Sequence, residues 1–406
     1  MASANAPAVT REAPRGLSRE EALERYRSLP LPTTADEHWR FTDLAGFDPG
    51  GFGAPARPAQ FETASMLDAI DLAALAHVDE TGVHVEHAVG GITFEELDES
   101  HPKLATLVGA GDKFTAQNAA LWKHGLLVVV PRNVVLERPL YVRVDSTVDG
   151  GSLFWRLLVV VEEGARCTLI EEYASASADL SGYSNAAVEL FVGQAAKLEY
   201  VSIQNLSRET WHFASHRAQV ERDAELDWVT GGFGSKRGKT RIENDLTGPG
   251  ATSRVTGAYF ADGTQHLDYD TFQEHAAPHT TSDFAFRGVL RDSATAVWRG
   301  MIRVEREAQK TNAYQENRNL ILSPEAHADS IPGLEILAND VRCTHGATNS
   351  PVNRDELFYC MARGLSRGDA ERLIVRGFFQ DMLDRIELEP VREAVAAALE
   401  ARIPAA

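Results

Sequence analysis

Cysteine is scarce: Cys167, Cys343 and Cys360 are the only three in 406 residues. So few thiols cannot build a disulfide framework, which fits a reducing compartment and excludes the small stapled secreted scaffolds. Positive charge is also short. Forty Lys and Arg stand against 59 Asp and Glu, a net charge of −19. A field of that sign repels nucleic acid and anionic membranes, so neither is an expected partner. Long apolar runs are missing too. The runs at residues 126–130 and 157–161 fall far below the ~20 residues that span a bilayer. Residues 1–16, rich in Ala and Pro, lack the basic start and apolar stretch of a signal peptide. They read as a disordered tail on a soluble, cytoplasmic protein. No phosphate-binding Gly-x-x-x-x-Gly-Lys-Ser/Thr, no helix-opening Gly-x-Gly-x-x-Gly and no Gly-x-Ser-x-Gly elbow occurs.

What is present is an ordinary globular composition, 44% hydrophobic and 24% charged, with its texture divided into three. Residues 17–124 read as an N-terminal helical domain. Ser18-Arg-Glu-Glu21 is a capping box, and the helix it opens ends before Pro30 and Pro32. Trp39, Phe41 and Leu44 offer a small apolar cluster, and the Gly/Pro/Ala-rich residues 48–59 a linker. Helical patterns return near Phe94 to Leu97 and Phe114 to Trp122. Residues 125–348 consist of short β-branched or aromatic runs separated by Gly, Asp, Asn and Ser, which predicts an all-β core. Residues 349–406 become helical again. Asn353 and Ser366 are caps and Pro390 opens a third helix; Leu357, Phe358 and Met361, then Ala370, Leu373, Ile374, Phe378, Met382 and Ile386, form the apolar stripes.

Within the β region a Gly or polar residue followed by Ala and a strand recurs at Ala165, Ala196, Ala224 and Ala251, with spacings of 31, 28 and 27 residues. Ala294 follows 43 later. A repeat of this length predicts a solenoid, each coil burying its apolar face on the next, with the small Ala at a corner. An irregular sandwich or jelly roll is the rival architecture.

The chemistry-bearing candidate is Val341-Arg-Cys343-Thr-His345-Gly346, at the seam between core and final helices. On a strand, residues two apart share a face, with Cα atoms roughly 6.6 Å apart. A thiolate and an imidazole projecting together suit zinc or iron. Two ligands do not complete a site, so a metal there needs ligands from elsewhere. The plain alternative is a buried Cys and a hydrogen-bonded His. His212/His216 and His275/His279 have helix spacing in a β region, which argues against metal binding. His84 and His87 fall in an irregular segment. Cys167 and Cys360 read as core hydrophobes. Gly231 to Gly234, followed by Lys236, Arg237 and Lys239, reads as an exposed loop.

The run Ala313-Tyr-Gln-Glu-Asn-Arg-Asn-Leu-Ile-Leu-Ser323 is followed by Pro332-Gly-Leu-Glu-Ile-Leu-Ala338 and Val341-Arg-Cys-Thr-His-Gly-Ala-Thr348. Leu357-Phe-Tyr359 and Arg363-Gly364 complete the series. Together with Phe114-Thr-Ala-Gln-Asn-Ala-Ala120 and Trp39-Arg-Phe-Thr42, it resembles the SufB/SufD family of iron–sulfur cluster assembly scaffolds. Within that family the chain resembles the SufD branch, since no cysteine precedes Cys167. It departs from the pattern after Thr348, where Asn349-Ser-Pro-Val352 replaces a Gly-containing turn. The resemblance implies a right-handed parallel β-helix flanked by helical domains. It also implies a non-enzymatic scaffold that pairs with a SufB-like protein and a SufC-like ABC ATPase, the latter docking on the C-terminal helices. His345, beside Cys343, would be a ligand to a transient Fe–S cluster formed with SufB, none being bound stably by the chain alone. The rivals are a homodimeric SufB-like scaffold and a β-helix polysaccharide-processing enzyme.

Overall fold

The computed structural model describes residues 17–53 and 70–402. The proposed tail, part of the 48–59 linker and the last four residues lie outside them. The chain opens with α1 (Arg19–Ser28), whose Ser18–Glu21 capping box forms as the sequence predicts. A 3-10 turn (Glu37–Trp39) follows, then β1 (Ala74–Asp79), β2 (Gly82–Ala88), β3 (Thr93–Glu96) and α2 (Lys113–Leu121). Two series of strands then alternate. One comprises β5 (Leu140–Ser146), β7 (Arg166–Ser175), β9 (Lys197–Asn205), β11 (Glu225–Gly232), β13 (Thr252–Ala261), β15 (Thr281–Leu290), β17 (Asn312–Ile321) and β19 (Arg342–Pro351). The other comprises β4 (His124–Val130), β6 (Gly151–Val161), β8 (Gly182–Val192), β10 (Thr210–Val220), β12 (Arg237–Leu246), β14 (His266–His275), β16 (Thr295–Val304) and β18 (His327–Ile336). Three helices close the described chain: α3 (Arg354–Ala362), α4 (Arg367–Leu383) and α5 (Glu389–Arg402).

From β4 onward each strand pairs in parallel with the strand two places along the chain, giving a parallel β-solenoid of about eight turns. The rival sandwich and jelly roll are thereby set aside. In-register positions Lys197, Glu225, Thr252, Thr281, Asn312 and Arg342 set the coil length. The residues before the first five, Ala196, Ala224, Ala251, Thr280 and Thr311, are all buried, whereas Val341, before Arg342 in the last coil, is only partly so. They complete the corner file that begins at Ala165. Immediately before these residues the backbone is left-handed, at Gly164, Ala195, Asp223, Gly250, His279 and Lys310. That is the physical content of the repeat: one residue turns the corner at positive φ, and the next must be small enough to be enclosed. The irregular 43-residue gap disappears, because Thr280 occupies the corner after Ala251. Ala294 stands at the corner of the other sheet.

Alternate residues of both sheets fill the interior. Trp155, Trp228 and Trp298 are fully buried there, with Tyr200, Tyr259 and Phe286. Each aromatic ring removes roughly 150–250 Å² from water, about 4–6 kcal/mol at ~25 cal/mol/Å². The outer faces are covered unequally. Helices α4 and α5 lie on the first sheet, with Val375, Phe379, Met382 and Val395 against Ile203, Phe260 and Val289. The segment around Trp39 and Phe47, together with α2, covers the second sheet through Tyr183, Trp211 and Phe213.

Several expectations need correction. Residues 17–124 do not form a helical unit, since β1, β2 and β3 join the two sheets. Phe94 lies in a strand, antiparallel to β4, and is buried in the solenoid core. A four-residue apolar hint cannot outweigh a sheet edge that satisfies the backbone and buries the ring. His84 and His87 sit in β2, paired with β1. The core also runs past residue 348, because β19 continues to Pro351.

Candidate functional site

The two ends of the solenoid differ. At the N-terminal end the antiparallel strands β2 and β3 stand outermost; at the C-terminal end the parallel strands β18 and β19 do. An outermost strand leaves every second residue's N–H and C=O unpaired, a template for another chain. Cys343 and His345 lie on this last strand, opposite Ala313 and Gln315 of β17. Cys343 is half-buried among Leu334, Ala338 and Ala313. Burial raises its thiol pKa, opposed by a backbone hydrogen bond from Ala313. His345, two residues on and sharing that face, is exposed because no further coil follows it.

The surroundings are polar and largely satisfied. Gln315 is fully buried, and its Nε2 donates to the Gly333 carbonyl at 2.9 Å. Its Oε1 is buried against Gly300 of β16 and has no donor. Further along, Asn319 Nδ2 donates to Asn317 Oδ1 at 2.7 Å and to Asn349 Oδ1 at 2.8 Å. Asn349 Nδ2 donates to the Ala328 carbonyl at 2.8 Å, joining the two sheets. The departure at Asn349-Ser-Pro is therefore not a turn. It extends β19, with Asn349 ending a ladder of buried amides. The alternation in Asn317-Arg-Asn319 was the sequence signal for that ladder.

Among the described residues no group of three or more His, Cys, Asp and Glu is arranged to hold a metal ion. His212 is buried against Ser184 (Nδ1 to Oγ, 3.1 Å), and burial pushes its pKa down to about 4. His216 stacks on Trp228 with ring centroids 5.7 Å apart, and burial and His212 lower its pKa to about 3. His275 is buried and bonded to Thr280 and Ser282, whereas His279 turns a corner. Cys167 is enclosed, its thiol pushed by burial up to about 12, as suits a core hydrophobe.

The C-terminal helices differ from expectation in one respect. Helix α3 buries none of its residues, so Leu357, Phe358, Cys360 and Met361 are not core. Phe358 is 72% exposed and Leu373 of α4 is 54% exposed. Tyr359 and Leu373 line a shallow groove with Asp355, Glu356 and Cys360, and Phe358 and Met361 are also exposed on α3. A helix pattern reports one apolar stripe but cannot say whether the chain itself covers it. No described helix is long and apolar enough to cross a membrane.

The basic stretch after Gly234 is not a free loop, because Arg237, Lys239 and Arg241 alternate along β12. The Phe114–Ala120 motif proves structural. Asn118 donates to the carbonyls of Trp155 and Asn185 (3.2 and 2.9 Å), Gln117 accepts from Tyr183 (2.7 Å), and Ala116 and Ala120 pack with Ala22 of α1. A pair that sequence reasoning missed anchors the loop before α2. Glu189 accepts from the N–H groups of Ala105, Leu107 and Val108 (2.7, 2.7 and 3.1 Å), and buried Arg156 lies 3.5 Å away. Nothing local marks that pair, whose partners lie 33 residues apart in sequence.

Cys343 and His345 thus stand on an outermost strand of the solenoid, and α3 presents its apolar residues to solvent. Residues 143–378 match the model of the SufBD core domain of the SUF system for iron–sulfur cluster assembly. The chain belongs to that family. It is 32% identical over 298 residues to an iron–sulfur cluster assembly SufBD family protein of Staphylococcus saprophyticus, covering 73% of this chain and 63% of that one. The namesake proteins of Staphylococcus epidermidis and Staphylococcus aureus are each 30% identical over 310 residues, covering 74% of this chain and 66% of theirs. The match thus spans less than two thirds of each relative's length.

Proposed function

We propose that this chain is the SufD-type half of a cytoplasmic cluster-assembly scaffold. Its open edge, β18 and β19, pairs with a SufB-like partner, and the partner supplies the ligands that Cys343 and His345 lack. The nascent Fe–S cluster is cargo, held across that junction and passed on. The exposed residues Phe358, Tyr359 and Leu373, with Asp355 and Glu356, form the docking surface for a SufC-like ATPase, whose cycle would strain the pair and open the site. The observation that carries the reading is the position of the Cys343–His345 pair on the outermost strand of its sheet, whose far edge has no partner strand in this chain. Scarce cysteine supports the SufD-type assignment, since a free-standing cluster protein wants about four ligands of its own.

The test is His345→Ala, alone and with Cys343→Ser, in a complex co-expressed with the SufB-like and ATPase genes of the same organism and purified without oxygen. Iron and labile sulfide per complex should fall by about half or more with subunit stoichiometry unchanged. Imidazole binds metal only when neutral, so loading should also weaken on acidification. Undiminished cluster in an intact complex would remove His345 as a ligand. A second reading, a homodimeric scaffold, is favoured by the same unpaired edges, which fit a second copy equally well. Sedimentation of the lone chain at micromolar concentration separates the two.

A further inference from the structure

The outer face of the second sheet carries a cavity of about 420 Å³, within the range of small-molecule sites. It takes no part in the Cys343–His345 corner. Three stretches that stood apart in the sequence meet in it: Trp39 of Trp-Arg-Phe-Thr42, Phe114 of the α2 motif, and Lys239 of the basic stretch that became β12. Its roof is the 3-10 turn, its wall the start of α2, and its floor strands β8, β10, β12 and β14.

Trp39, Phe114 and Phe213 make one aromatic wall, with centroids 4.9 Å apart for Trp39–Phe114, 4.3 Å for Phe114–Phe213 and 5.7 Å for Trp39–Phe213. Charge of both signs lines the rest. Lys239 and Arg241 project from alternate positions of β12, each also paired to a carboxylate, Lys239 to Asp268 and Arg241 to Glu243, both at 2.6 Å. Facing them are Asp270, bonded to His38 at 2.5 Å, and Asp112, 4.0 Å from Arg241. Burial would raise the Asp270 pKa, but His38, Lys239 and Arg241 hold it down to about 2, so it stays ionised. The roof is fixed by side-chain contacts, Glu37 to Arg299 and His38 to Asp270 (both 2.5 Å), not by sheet pairing.

A purely anionic ligand would meet Asp112 and Asp270; a purely cationic one would meet Lys239 and Arg241. A ligand with both charges and an apolar body meets neither conflict. The geometry points to a binding site for a free α-amino acid with an aromatic side chain. Its carboxylate lies toward Lys239 and Arg241, its ammonium toward Asp112 and Asp270, and its ring against Trp39, Phe114 and Phe213.

Three probes with one phenyl body separate the charges: L-phenylalanine, 3-phenylpropionate and phenethylamine, titrated calorimetrically into the full chain near neutral pH. L-Phenylalanine should bind with Kd below about 1 mM and the other two at least about tenfold more weakly, each tenfold being ~1.4 kcal/mol. Arg241→Gln should weaken phenylalanine about tenfold and leave phenethylamine unchanged. Because Arg241 also pairs with Glu243, a second variant guards against misfolding. Ser215→Leu fills the floor without removing a charged or aromatic group, and should abolish binding with the melting temperature retained. No binding of phenylalanine, equal binding of phenylpropionate, or full binding by Ser215→Leu would each overturn the assignment.

Discussion

His216 is a base buried without a partner. Neither ring nitrogen has a hydrogen bond, and the ring stacks on Trp228 inside the solenoid. Burial, with a smaller contribution from His212, lowers its pKa from 6.5 to about 3. A folded-state pKa below the unfolded one means that protons bind the unfolded chain first. The stability held above pH 6.5 is therefore lost as pH falls from 6.5 toward 3. Between pH 7 and pH 5 the unfolded imidazole takes up about 0.7 of a proton while the folded one stays neutral. At ~1.4 kcal/mol per pH unit below 6.5, this single residue costs about 2 kcal/mol at pH 5. His216→Leu removes both orphaned nitrogens at similar volume. The absolute pH curve also contains buried carboxylates of opposite sign, such as Asp145 and Asp245, raised by burial to about 6. The quantity to read is therefore the difference between parent and variant. Urea unfolding at pH 7, 6 and 5, followed by both fluorescence and circular dichroism, should show the variant gaining about 2 kcal/mol on the parent across that range. Parallel curves, within about 0.5 kcal/mol, would refute the claim that His216 is enclosed as a neutral base.

Two further outcomes follow from single contacts. In β19 the Arg342 N–H bonds to Thr311, so alternation turns the N–H of Ala347 toward the free edge. Ala347→Pro should weaken pairing with a SufB-like partner at least about tenfold while leaving this chain's own unfolding unchanged; pull-down and thermal melting check both, and undiminished pairing would move the interface away from β19. Glu189→Ala strands Arg156, 1% exposed, and three backbone N–H groups, which should cost about 3–5 kcal/mol by urea unfolding; a loss under about 1 kcal/mol would mean that the loop finds other partners.

Much of the architecture was legible because it repeats. The Gly-or-polar then Ala pattern reported the corner of each coil, since backbone sterics and enclosure act at one position again and again. The caps at Ser18, Asn353 and Ser366 were legible for a related reason: each acts within three residues. The strands β1 to β3 were not: their own sequences are short, and although β1 and β2 form a local hairpin, it is pairing with β5 and β4 farther along the chain that joins β1 and β3 to the sheets. Thr280 was not, because a threonine holds the corner where alanine was expected.

The candidate site divides along the same line. Sequence alone determined that Cys343 and His345 share a face, that the chain has too few thiols for a cluster of its own, and that apolar stripes mark the last helices. These are consequences of spacing and composition. Only the tertiary structure decided that this strand is the outermost of its sheet, that Phe358 and Leu373 stay uncovered, and that Trp39, Phe114 and Lys239 line one cavity. Whether a strand is paired or a stripe is buried depends on what the rest of the chain places against it, and no local pattern carries that information.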